Sequence, residues 1–423
     1  MLKNKITDIK GRMVFDSRGM PTVEADIFVN NQFCASAIAP SGASKGKKEA
    51  LEKKDNKEIF LGNSVNENIS LINNEIKNTL IGCTIEDQTK IDKKLIELDG
   101  TSNKSKLGSN TTIAVSMAVL RSASVTNKTS LWEYLNNSLE AKLPLPEIQI
   151  IGGGAHARGS IPFQDFMIVP NGASDFFTAL HWVFKIYKLA GEKLLSEKKL
   201  YGVADEGGYW PNFSNITCVL DFLTKIIEEA GFKPFKEVSI SLDIAANNFK
   251  KNNKYKISEK ESISSSELCE ILLKLINKYP IISIEDPFAE EDIKYFSKLK
   301  KKAPPHLQIV GDDLVVTNTE LIKRAYAQNA INTVLIKPNQ IGTISETLSA
   351  LKLSNKLGLM SILSARSGES EDNFISDLSV GWNIKQLKVG SFSRSERLSK
   401  WNQCLRIGEK FNNKYAMHNI WNF

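Results

Sequence analysis

No apolar stretch in this 423-residue sequence approaches the ~18–20 residues needed to cross a bilayer. The opening residues, MLKNKITDIKGRMVFDSRG, lack the apolar core of a signal peptide and the Arg/Ser amphipathicity of a transit peptide. Cysteine is scarce. Cys34, Cys83, Cys218, Cys269 and Cys404 are odd in number and far apart, which argues against a disulfide framework or a zinc knuckle. Arginine is scarce too, at nine of 55 basic residues, and lysine is scattered beside acids, as in EKKDNKE and KKLIELDG. The net charge of +7 therefore reads as a solvated surface, because a nucleic-acid patch would cluster Arg with aromatics. With 25 Gly and 13 Pro the chain is neither collagenous nor low-complexity. These absences lead to the expectation of a cytoplasmic globular protein with no nucleic-acid or membrane partner. The length suits two or three domains, or a barrel of about 250 residues plus a smaller unit.

Residues 1–135 read as a compact α+β unit. Three β-like runs come first, KITDIKGRMVF, PTVEADIFVN and QFCASAIAP. In the second, Val23, Ala25, Ile27 and Val29 alternate with other positions at the period of a strand. Helical patterns follow in NENISLINNEIKNTLIG, TIEDQTKIDKKLIELDG and NTTIAVSMAVLRSASVTN. Between them PSGASKGKKEALE is small and flexible and then strongly helical, so residues 40–46 form a loop or a mobile lid.

From 138 to 423 the texture changes. Six apolar, β-branched runs each end in a charged or polar residue and lead into a helical pattern: VSISLDIA, PIISIEDPF, LQIVGDDL, NTVLIKPNQ, LMSILSARSG and IKQLKVGS. Markers taken one from each (Asp243, Glu285, Asp312, Lys337, Arg366, Lys388) are 42, 27, 25, 29 and 22 residues apart, about a strand, a helix and two loops. Buried parallel strands read as continuous apolar runs, so the segment predicts a β/α barrel.

Charge inside a buried strand is costly, so these charged ends belong at the C-terminal mouth, where barrels build their sites. Asp243, Glu285 and Asp312 would converge there and repel one another unless a cation neutralises them. Oxygen-only ligands with no Cys or His nearby favour a hard divalent ion, Mg2+ first. Lys337 and Lys388 would face the same ion. Near positive charge and out of water a lysine loses part of its basicity and becomes a usable base; the alternative is that both lysines form structural salt bridges with the acids. Arg366 with Ser367 suits a phosphate, or caps the next helix. GGGAHARGS puts His156 on a glycine-rich loop without a dinucleotide or P-loop spacing, FQDFMIVP supplies Gln164 and Asp165, and VADEGGYWP supplies Asp205 and Glu206.

The sequence resembles the enolase family almost end to end. The resemblance runs through DSRG, PTVE, SGAS, LDGT, NKSKLG, DEGG, IEDPFAEED, GDDL, RSGE and SRSER. It implies an α/β fold with an N-terminal α+β cap on an eight-fold barrel that starts ββαα. It also implies Mg2+-dependent, reversible dehydration of 2-phosphoglycerate to phosphoenolpyruvate, a hydro-lyase step of glycolysis and gluconeogenesis. On this resemblance Asp243, Glu285 and Asp312 hold one Mg2+, and Ser44 brings a second with substrate. Lys337 removes the C2 proton, giving an enediolate, and Glu206 helps the C3 hydroxyl leave. Lys388, Gln164, Arg366 and Ser367 bind substrate, while His156 and Asp165 fall in the catalytic network. Arg12, Glu24 and Arg406 match inter-subunit ion-pair positions, implying a homodimer, with a higher homo-oligomer as the alternative.

Several residues depart from the family pattern near the chemistry. Lys45 stands for Thr in the lid, where it adds a cation able to bind substrate. Asp165 stands for Glu, Ala365 for His, Gly152 for Asn, Val389 for Thr and Met20 for Asn. If these weaken the reaction, Asp165→Glu and Ala365→His should raise it. Two other readings stay open at this point. One is a paralogue using the same chemistry on another phospho- or phosphono-carboxylate, of the carboxyphosphonoenolpyruvate synthase type; the other is a non-catalytic binding protein.

Overall fold

The computed structural model describes residues 4–55, 58–136, 140–157, 161–258, 261–421 and 423. Residue 138, where the sequence suggests that the barrel unit begins, lies outside them. Strands β1 (Ile6–Phe15), β2 (Pro21–Val29) and β3 (Gln32–Ile38) form an antiparallel meander. Asp16 tightens the first turn by accepting the backbone N–H groups of Arg18 and Met20 at 2.9 Å each. Asn30 and Asn31, both with positive φ, make the two-residue turn between β2 and β3. Val23, Ala25, Ile27 and Val29 are buried. Arg12 and Glu24 are cross-strand partners and form an ion pair within the chain.

The helix Ser109–Thr126 is buried nearly all round because it packs on β2 and β3 and also touches the helices Pro338–Ile341 and Ile344–Lys356. Small residues allow this close packing, and buried Asn110, Thr112 and Ser116 are among them. The segment KKEALE is not helical, contrary to its local propensity. Its backbone groups are taken by distant partners. Ala50 N–H donates to Gln340 O, Leu51 N–H donates to Asn103 O, and Leu51 O accepts from Ser109 N–H. A chain stitched on both sides in this way cannot close i to i−4 bonds as well.

The barrel closes through β4 (Leu145–Gly152), β5 (Asp165–Val169), β8 (Ser239–Asp243), β12 (Ile281–Glu285), β13 (Gln308–Gly311), β14 (Thr333–Ile336), β15 (Met360–Ser364) and β16 (Gln386–Ser391), with β16 pairing back onto β4. The hairpin β6 (Leu200–Val203) and β7 (Tyr209–Pro211) extends from β4, and a small ribbon of β9 (Lys250–Lys251), β10 (Lys254–Lys256) and β11 (Ser262–Ile263) follows β8. All six apolar runs are parallel barrel strands. Strand β5 runs antiparallel to both β4 and β8, and the helices Phe176–Ser196 and Ile216–Glu229 come after it, giving a ββαα start. Reversal has a consequence for the site. The first residues of β5, not its last, sit level with the C-terminal ends of its neighbours, so Asp165 pairs in register with Asp243 and with Gly152. Among the described residues no helix is long and apolar enough to cross a membrane.

Candidate active site

Register brings the charged strand ends together. Asp243 is the direct partner of Glu285, and Lys388 is the partner of Ser364 on one side and Glu147 on the other. Lys388 Nζ donates to Asp243 Oδ2 at 2.9 Å and to Glu285 Oε2 at 2.7 Å. Lys337 occupies the N-cap of the helix Pro338–Ile341, whose Pro at the first position fixes the entry geometry. Its ammonium donates to Asp312 Oδ2, and Gln340 Nε2 donates to the other oxygen at 2.8 Å. Asp286, absent from the sequence reading, accepts the backbone N–H groups of Asp312 and Asp313 at 3.0 and 2.6 Å and so fixes the turn after β13.

The two lysines therefore do pair with the acids. Asp243 Oδ1 and Glu285 Oε1 nevertheless remain buried with no hydrogen-bond partner. Unpaired buried carboxylate oxygens are costly, and an all-oxygen donor set is what a hard divalent cation takes. The residues present fit such an ion. With the lysines inserted, the oxygens of Asp243, Glu285 and Asp312 are not a mutually close set. Among the described residues the sets within 4.8 Å are Asp286–Asp312–Asp313 and His156–Asp165–Glu206.

Opposite the lysines, His156 Nδ1 lies 2.9 Å from Asp165 Oδ1, and its Nε2 lies 3.8 Å from Glu206 Oε1. Gln164 Nε2 donates to Asp243 Oδ2 at 3.1 Å. These groups, with Lys337, Lys388, Ala365, Arg366, Ser367 and Ser44, line one small cavity of about 20 Å³. The loop 40–46 packs over it. Ala43 N–H donates to Ser367 Oγ at 2.6 Å, and Ser44 O accepts from Arg366 Nη2 at 3.0 Å. Arg366 does not cap a helix; its guanidinium forks onto Glu49 at 3.0 and 3.3 Å. Glu285 and Asp312 do not line the cavity but bond the lysines that do, whereas Lys45 turns away. Its half-exposed ammonium bonds Glu52 at 2.6 Å and does not line the cavity. Glu49 lies in KKEALE, which reads as helical, and nothing in the sequence marks it as the partner of Arg366.

A family model described as "Enolase, N-terminal domain" matches residues 6–135, and one described as "Enolase, C-terminal TIM barrel domain" matches 140–421. The chain belongs to the enolase family. It is 46% identical over 418 residues to an enolase of Pelagibacter ubique (99% of this chain and 100% of the relative) and 45% identical over 420 residues to one of Ehrlichia ruminantium (99% of each). Enolases are phosphopyruvate hydratases, which are hydro-lyases, and the family implies dependence on Mg2+. Nothing in these matches favours a paralogue with another substrate.

Electrostatics divide this enolase-family site in two. Burial would lower the Lys337 pKa, but the acids around it, Asp312 first and then Glu285, carry the net direction up. Lys388 goes well up for the same reason, against Asp243 and Glu285. This reverses the expected lowering, because the acids face the lysines directly. On the other side burial raises the Glu206 pKa, against the opposing pull of His156. Burial would also raise Asp165, but His156 outweighs it and keeps the carboxylate low. His156 itself is raised to about 9: burial opposes its charge, and Asp165 and Glu206 favour it more strongly.

A raised histidine stabilises the fold fully below its unfolded pKa of about 6.5 and loses that contribution as pH rises through about 9. Denaturant unfolding at pH 6 and pH 10 should show a loss of about 3 kcal/mol in the wild type that is absent in His156→Gln. Equal pH dependence in both proteins would contradict this assignment.

Proposed function

We propose that the chain catalyses the reversible dehydration of 2-phosphoglycerate to phosphoenolpyruvate, with Lys337 as the base at C2 and Glu206 as the acid at the C3 hydroxyl. The observation that carries this reading is that Lys337 and Glu206 line one cavity together with the anion-binding pair Arg366 and Ser367. Elimination needs a base at one carbon and an acid at the leaving group of its neighbour.

Arg366 and Ser367 offer a fork donor and a hydroxyl for the phosphate, while Lys388 and Gln164 face the carboxylate end. Asp165 orients the His156 imidazole toward Glu206. Asp243, Glu285 and Asp312 would hold one Mg2+, and Ser44 on the packed loop would help to hold a second. Bound there, the ions supply positive charge against the negative charge that builds on the substrate carboxylate once C2 is deprotonated. We assign the cap to residues 1–135 and the barrel to 138–423, and we take the working form to be a cytoplasmic homodimer.

Ultraviolet absorbance of phosphoenolpyruvate tests this directly. Turnover of 2-phosphoglycerate should appear with Mg2+ and vanish in EDTA. Inert 2-phosphoglycerate, alongside Mg2+-dependent turnover of a phosphonocarboxylate, would overturn it.

A further inference from the structure

We infer that Gln149 is a positioning residue that couples the Asp165–His156 pair to Glu206, and that its long side chain is matched to the short carboxylate at 165. The inference rests on the reading of Glu206 as the acid. Gln149 lies on β4, is fully buried, and uses both ends of its amide. Its Oε1 accepts the backbone N–H of Gly208 at 2.7 Å, and its Nε2 donates to Asp165 Oδ1. That same Asp165 oxygen faces His156 Nδ1 at 2.9 Å. Gly208 belongs to the tight turn that carries Glu206, closed by Gly207 N–H to Ala204 O and Ala204 N–H to Gly208 O, at 2.9 and 2.8 Å. One rigid amide thus holds the turn that presents the acid and the carboxylate that aims the imidazole at it.

The surrounding packing leaves this amide no latitude. A Cβ on Gly208 would lie 2.5 Å from Gln149 Oε1. A Cβ on Gly152 would lie 2.4 Å from the Cβ of Ala204 and 3.4 Å from Gln149 Nε2. The missing side chain at 152 therefore makes the room that Ala204 and Gln149 fill. Adding a methylene at 165 would push the carboxylate about 1.5 Å toward a nitrogen it already touches. Asp165→Glu alone should then harm the reaction, the opposite of what the sequence suggests. Gln149→Asn withdraws the amide by one methylene from both Asp165 and Gly208, and the longer Glu at 165 refills the first gap, so the two changes should compensate in part.

The experiment measures dehydration of 2-phosphoglycerate and solvent exchange of its C2 proton in Gln149→Asn, Asp165→Glu and the double variant, each checked for folding by circular dichroism. Misplacement of about 1 Å costs up to ~10²-fold in rate. Each single variant should lose about 10- to 100-fold in dehydration kcat while keeping KM and C2 exchange within about threefold, because Lys337 and the anion-binding groups are untouched. The double variant should lose no more than the worse single variant, because the lengthened side chain at 165 regains its contact with the shortened amide. A merely structural role would lower exchange and dehydration together. Parallel losses, or single-variant losses that multiply in the double variant, would overturn the proposal. If Asp165→Glu does not fold, recovery of folding in the double variant supports the match and failure to recover overturns it. A wild-type chain inert toward 2-phosphoglycerate would instead remove the reading of Glu206 on which this rests.

Discussion

Lys337→Ala should lower kcat on 2-phosphoglycerate by about 10³- to 10⁴-fold while KM changes little, since general-base catalysis contributes up to about that much. The lysine is placed for this task by rigid elements. Its backbone N–H donates to Thr317 Oγ1 at 2.9 Å, that hydroxyl donates to Gln340 at 2.7 Å, and the following proline starts a helix. Arg366, Ser367 and Gln164 keep their places when the amine is removed, so binding survives and proton removal does not. The variant also leaves Asp312 with Gln340 as its side-chain partner, and it should become more dependent on Mg2+ for stability. Residual turnover within tenfold of wild type would assign the base elsewhere.

Lys388→Met should destabilise the EDTA-treated protein by about 3–5 kcal/mol, because removing one partner of a buried ion pair leaves an uncompensated charge. Here one ammonium answers two carboxylates, all three buried, and both carboxylates have a second oxygen with no partner. Methionine preserves length and volume, so the loss is electrostatic. A divalent cation binding the same oxygens should restore stability in proportion to ln(1 + [Mg2+]/Kd). Urea unfolding with EDTA and with saturating Mg2+ reads this directly. The gap between variant and wild type should shrink as Mg2+ is added, and a gap indifferent to Mg2+ would mean that Asp243 and Glu285 hold no ion.

Much of the barrel was legible because a buried parallel strand needs apolar residues on both faces, and a charge at its end has one affordable location. Asp243, Glu285, Asp312, Lys337 and Lys388 could therefore be located from pattern alone. The interior was less legible. Glu147 accepts from Ser241 Oγ and, at 2.8 Å, from Gln386, while Gln386 accepts from Gln308 at 3.0 Å. This polar layer sits inside strands that read as apolar, because single polar residues were absorbed in apolar runs.

The direction of β5 was equally hidden. Local periodicity carries no strand orientation, so the level of Asp165 with Asp243 was not derivable from the FQDFMIVP run. Lys45, Glu49 and the non-helical KKEALE share one cause. Their partners, Glu52, Arg366 and the Gln340 carbonyl, are decided by tertiary packing, which outweighs the weak preference of a short segment for helix. The basicity of Lys337 ran opposite to expectation because its nearest charge is Asp312, a fact of geometry rather than composition.

The most direct test of the central claim is hydrogen–deuterium exchange at C2 of 2-phosphoglycerate, followed by NMR in deuterated buffer with Mg2+. Glu206→Gln should still exchange the C2 proton at a rate near wild type while forming little phosphoenolpyruvate, and Lys337→Ala should exchange it at least about 10³-fold more slowly. Exchange that persists in Lys337→Ala and disappears in Glu206→Gln would contradict the assignment of base and acid to the two sides of the cavity.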